Sequence, residues 1–273
     1  MQNVRQEQTD LYELFEFQLL YTKLSDTDGD LEVNIDRDRK EADIIVDETI
    51  KKPSVDESSG KITVNRIEDA FKAAKEGSRI FVEPGEYYIN SAEDEEGKSF
   101  RPSVFLFGKN VLLIGASSKR CVLLFGSSST ESLSPLPSAS KGLGSNLETL
   151  LICASAGKIP TLIKRFTFRR ANNTVCSSTG AKTRFLGVAG GSVHLEDCLF
   201  DAGGASTTTC SSDVDAVYAS SRICGALAAN YPPPSVIARF CIFDGCQSFG
   251  TFTVARGAGA VRNCYFRQKR STR

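Results

Sequence analysis

Tryptophan is absent from this 273-residue chain, and histidine and methionine occur once each. Zinc-binding patterns are missing, and so are dinucleotide-binding ones, because the glycine clusters follow no strand-to-helix turn. No apolar stretch reaches the ~18 residues of a membrane span. The opening residues, Met1-Gln-Asn-Val-Arg-Gln-Glu-Gln-Thr-Asp10, contain no apolar core of a signal peptide. The nine cysteines are odd in number and show no paired spacing. That usage fits a reducing compartment better than a disulfide framework, so the expected location is cytoplasmic, where the Asn172-Asn-Thr sequon stays unused.

Net charge is also missing, 33 Lys/Arg balancing 33 Asp/Glu, but the balance is unevenly divided. Residues 1–100 hold 25 acidic against 13 basic side chains, and the remaining 173 hold 8 against 20. One reading is a basic flank that attracts an anionic glycan, lipid surface or protein; the other is ordinary solvation of loops. No basic-aromatic pattern accompanies the charge, which speaks against nucleic acid.

What the chain does have is a short pattern that returns four times. It reads Ile163-Lys-Arg-Phe166-Thr-Phe168, Leu195-Glu-Asp-Cys198-Leu-Phe200, Ala238-Arg-Phe-Cys241-Ile-Phe243 and Val261-Arg-Asn-Cys264-Tyr-Phe266. Three copies follow an apolar run with glycine, ending at Gly157, Gly191 and Gly259. Cys or Phe and the next Phe lie two apart, on one face of a strand. The apolar residue three positions earlier reaches the same side only if the chain bends between them. Asp197 and Asn263 suit such a bend because short polar side chains tolerate the left-handed region, whereas Arg165 and Phe240 give it no support. The copies are Val/Ile/Phe-rich and lack a helical period, so each is one coil of a right-handed parallel β-helix.

Cys198, Cys241 and Cys264 are then expected to form an internal column, slow to react with thiol reagents. The spacing of 23 residues from Cys241 to Cys264 is one bare coil. The 32 from Phe166 to Cys198 and 43 from Cys198 to Cys241 require inserted loops or a further coil.

Residues 62–89 describe the entrance to the solenoid. Ile67, Ala70, Phe71 and Ala74 form one apolar helical face, with Asn65 as the expected N-cap, Glu68 three residues on, and Gly77 as the stop. Ile80-Phe-Val82 is a strand, Pro84-Gly85 a turn, and Tyr87–Ile89 the next strand. This segment resembles the opening of the pectin-lyase-like superfamily, with Ile67, Ala70, Phe71, Ala74, Gly77, Ile80, Val82, Gly85 and Tyr88 on its frame and one extra residue before the Tyr. Val111–Gly115 and Cys121–Phe125 resemble its next coil. The resemblance covers roughly residues 62–268 and implies the β-helix fold. It also implies two kinds of relative: enzymes that act on acidic polysaccharides, and non-catalytic cytoplasmic proteins such as the Shc-binding and nessun-dorma-like proteins of cytokinesis and the F-box β-helix proteins.

Residues 1–60 read as an acidic extension with a helix over Asp10–Leu24 and a charged linker holding a short strand, Ile44–Val46. Residues 61–273 read as the β-helix domain, with a low-complexity loop at 126–146. The chain stops one strand after a repeat, which leaves open that further coils follow.

Asp26-x-Asp-Gly-Asp30 fails as a calcium loop, since positions six and twelve are Leu31 and Arg37. Asp213-x-Asp215 is the one close carboxylate pair in the coils, and Arg256 the one strand-borne arginine beside a glycine turn. These three are the candidate substrate-binding residues. His194 alternates with Val193 and Leu195, so it faces outward. No catalytic set, metal or cofactor is assigned. The favoured function is a binding or scaffold module for a protein or anionic partner; the alternative is a polysaccharide lyase or hydrolase.

Overall fold

Along Ser192–Glu196, Val193 and Leu195 are buried while Ser192, His194 and Glu196 are half-exposed, the alternation of a strand with one face on a core. A computed structural model describes residues 35–89, 104–125, 147–157, 159–170, 182–201, 214–221, 230–244 and 251–267. The expected Asp10–Leu24 helix and the loop at 126–146 lie outside them. The chain divides into two units, Met1–Glu41 and Ala42–Arg273. In the first, residues 35–40 are helical.

The second unit is all-β, in three sheets. Sheet A holds β1 (Ile44–Val46), β2 (Ser54–Val55), β3 (Ile62–Val64), β4 (Arg79–Val82), β7 (Leu112–Gly115), β10 (Thr161–Lys164), β13 (Ser192–Glu196), β16 (Ser235–Arg239) and β19 (Ala258–Arg262). Sheet B holds β5 (Gly85–Ile89), β8 (Cys121–Phe125), β11 (Thr167–Arg170), β14 (Leu199–Asp201), β17 (Ile242–Asp244) and β20 (Tyr265–Arg267). Sheet C holds β6 (Val104–Phe107), β9 (Leu147–Ala154), β12 (Lys182–Gly190), β15 (Val214–Ser220) and β18 (Phe252–Arg256). From β4 to β20 the chain visits A, B and C in strict rotation, so each strand pairs in parallel with the third one before and after it. Among the described residues the one antiparallel pair is β2 with β3. The segment read as a linker therefore contributes β1, inserted between β3 and β4 because Ala42, Ile44 and Val46 are buried.

The bend inside each repeat is left-handed at all four levels: φ is 63° at Arg165, 53° at Asp197, 54° at Phe240 and 51° at Asn263. Local preference favoured only two of these. The other two are imposed by register, because the columns on either side of the bend must continue from level to level. A non-glycine residue in this region costs ~1–2 kcal/mol.

One column runs Cys121, Phe166, Cys198, Cys241, Cys264, and two residues on runs Leu123, Phe168, Phe200, Phe243, Phe266. The phenylalanines stack nearly flat, with centroids 4.7, 5.0 and 4.6 Å apart from Phe168 to Phe266. Phe166 and Cys198, and likewise Cys198 and Cys241, are on adjacent levels, so the long sequence gaps are insertions and no level is missing. Each thiol reaches back across the bend: Cys198 donates to the Glu196 carbonyl at 3.4 Å, Cys241 to Arg239 at 3.3 Å and Cys264 to Arg262 at 3.3 Å. A small side chain with a weak donor fits there, next to a carbonyl that the bend leaves inside.

The helix α1 (Ile67–Ala73) buries Ile67, Ala70 and Phe71 as expected and lies on β1, β3 and β5. Its cap differs from expectation: Arg66, not Asn65, occupies the N-cap, with no side-chain cap bond. At the other end the Lys109 ammonium donates to the carbonyls of Phe71, Lys72 and Ala74 at 2.9, 3.2 and 2.7 Å. A cation 35 or more residues away thus satisfies carbonyls that the helix cannot.

Candidate binding surface

Of the three candidate residues singled out in sequence, the structure describes Arg256 and the backbone of Asp215. Asp213 lies outside the described residues, and of Asp215 only the backbone is described, at the start of β15 opposite Arg184. Arg256 is exposed at the far end of the neighbouring strand β18, paired in register with Ser220. Five residues of strand separate the levels of Asp215 and Ser220, roughly 16 Å.

Register instead aligns two charged columns. On the outside of sheet B, Arg169, Asp201, Asp244 and Arg267 occupy successive levels. Arg169 Nε donates to Asp201 Oδ2 at 3.0 Å, and Arg267 grips Asp244 through Nε at 2.7 Å and Nη2 at 2.5 Å. The two carboxylates stand on adjacent strands, each held by an arginine on its far side. The Asp244 hydrogen bonds raise the Arg267 guanidinium above its ordinary range. Asp201 and Asp244 are 43 residues apart in the chain yet on adjacent levels, because the length between them is insertion.

On the outside of sheet A the column is Lys164, Glu196, Arg239, Arg262. Lys164 Nζ pairs with Glu196 Oε2 at 3.5 Å. Arg239 and Arg262 follow on adjacent strands, both exposed, with no carboxylate at ion-pair distance among the described residues. Neighbouring strands stand ~4.8 Å apart, so two like charges are held side by side at the price of mutual repulsion. Beside them runs a half-exposed column of Leu112, Leu162, His194, Ile237 and Ala260. His194 faces outward as its alternation requires, and its pKa is lowered by partial burial and then by the Arg239 charge. The result is an apolar lane with a cationic edge. The signal was present in the repeat, where Ala238-Arg and Val261-Arg put arginine at the same station of two copies.

Among the described residues no group of three or more His, Cys, Asp or Glu could hold a metal ion. No helix among them is long and apolar enough to cross a membrane. Comparison with family models, with curated proteins and with solved structures finds no match to the chain.

Proposed function

We propose that the chain is a right-handed parallel β-helix of the pectin-lyase-like kind that works as a cytoplasmic binding module rather than as an enzyme. The A–B–C rotation of parallel strands supports the architecture, and the free thiols of Cys121, Cys153, Cys198, Cys241 and Cys264 support a reducing compartment. The observation that carries the binding role is the in-register pair Arg239 and Arg262 on the exposed face of sheet A. Their repulsion is relieved when a carboxylate, sulfate or phosphate lies across both guanidiniums, and the adjacent apolar lane gives such a partner area to bury. The partner is an anionic protein or glycan surface, in the manner of the non-catalytic cytokinesis-associated and F-box proteins that the repeat resembles.

Heparin serves as the polyanion probe. Arg239→Ala and Arg262→Ala should each elute from immobilised heparin at lower salt than the parent chain, and the double variant at lower salt still. Coincident elution of all four proteins would overturn the reading.

A further inference from the structure

The chain enters β16 through Tyr231-Pro-Pro-Pro234, which forms neither helix nor strand. Proline holds φ near about −65°, and a residue that precedes proline is kept out of the helical region. The three bonds to proline are trans. Its own chemistry therefore makes the segment a stretch of polyproline II helix. Levels of the stack lie on both sides and clamp it, Gly191 N–H donating to the Pro232 carbonyl and Ala258 N–H to the Pro234 carbonyl, each at 2.9 Å. Glycine permits these close approaches. A Cβ at Gly190 would stand 2.5 Å from Tyr231 Cβ, and one at Gly257 would run into the Pro234 carbonyl. The Tyr231 side chain crosses the corner of the stack, its hydroxyl 3.7 Å from where a Cβ on Gly108 would stand, just past the end of β6. Tyr231 is half-buried and Pro234 buried, whereas Pro232 and Pro233 between them are exposed.

We infer that Pro232 and Pro233 form a docking ridge for a partner domain whose groove is walled by aromatic side chains. Two proline rings held in this conformation make a rigid apolar ridge without an N–H, the shape that such grooves accept between flat rings. The Gly191 and Ala258 amides are spent on the carbonyls either side of Pro233, so the Pro233 carbonyl is the acceptor presented to a donor in the groove. A free proline-rich peptide must be ordered at its ends when it binds. Here Tyr231 and Pro234 are fixed by folding, which lowers that cost. The sequence carries no Asp, Glu, Lys or Arg from 223 to 238, so recognition is by shape and stacking rather than by charge. The inference goes beyond the anionic partner of the sheet A flank and does not depend on it.

The test passes the full chain over immobilised, purified domains of three proline-binding classes, SH3, WW and EVH1. At least one class should retain it, the retention should survive raised salt, and a proline decapeptide in solution should release it. The double variant Pro232→Ala, Pro233→Ala should bind that domain about tenfold more weakly, the scale of losing a central contact. Its elution from heparin should match the parent chain, which separates this ridge from the arginine flank. An unchanged thermal melt confirms that the double variant folds. Where the melt falls, release by the decapeptide decides, because that arm alters nothing in the chain. Retention by none of the three classes would overturn the proposal. So would retention that the decapeptide does not release, or that a folded double variant keeps in full.

Discussion

The backbone N–H of Cys241 points at the sulfur of Cys264, 3.4 Å away on the next level. Hydrogen bonds from the Cys241 thiol and amide hold the Cys264 thiol down at about 7 although burial acts against them. Cys241 itself is pushed well above the ordinary thiol range by burial and by its sulfur neighbours, and burial also pushes Cys121 up and Cys153 to about 12. The column was expected to be uniformly slow, but Cys264 is half-exposed, with no level beyond it among the described residues. Iodoacetamide should modify Cys264 first among these four, at a rate that rises as pH passes through about 7, where the thiolate forms. Peptide mapping that found Cys121, Cys153 or Cys241 alkylated at the same rate would show that the sulfur contact does not tune Cys264.

The same end effect grades the phenylalanine column. Phe200 is wholly buried between Phe168 and Phe243, so Phe200→Ala should cost ~3–5 kcal/mol in urea unfolding. Among the described residues Phe266 stacks on Phe243 alone, and it is 48% exposed, so Phe266→Ala should cost at most about half as much. Equal losses would mean that the stacked column does not run through the interior as described.

Much of this was legible in the chain before the structure. The four copies set the two columns, the two-residue spacing set their shared face, and His194 was placed outward by alternation. Two features were not legible. The left-handed bends at Arg165 and Phe240 contradict local preference and exist because Asp197 and Asn263, one level away, set the path that register must follow. The adjacency of Asp201 and Asp244 was hidden by an insertion, which alters sequence distance and leaves level distance unchanged, whereas Arg239 and Arg262, one bare coil apart, were visible in the repeat.

The bend at Phe240 offers a test of stored strain. An exposed aromatic side chain at φ 54° carries a steric cost that glycine lacks. Phe240→Gly should leave stability unchanged or raise it by up to ~1 kcal/mol, the gain in the folded chain being offset by the greater freedom of the unfolded one. Phe240→Val should lower it by ~1 kcal/mol or more, because branching at Cβ worsens the clash. Urea midpoints in the reverse order would show that Phe240 is held by contacts stronger than its strain.

Lys109 is the remaining test, because one side chain serves three helix-end carbonyls. Lys109→Met keeps the aliphatic stem and removes the donor, and should cost ~1–3 kcal/mol. Amide exchange should speed up first at Phe71–Ala74. Exchange there unaffected by Lys109→Met would assign the cost to lost packing.

The contact that Lys109 makes ties two levels of the stack together. Lys109 and Asn110 lie just before β7, whereas the carbonyls that Lys109 binds close a helix that precedes β4. Asn110 adds to the link, its N–H donating to Glu76 Oε2 at 2.7 Å and its carbonyl accepting from Gly77 N–H at 2.7 Å. Fraying of the helix end and loosening of the following level are therefore one event rather than two.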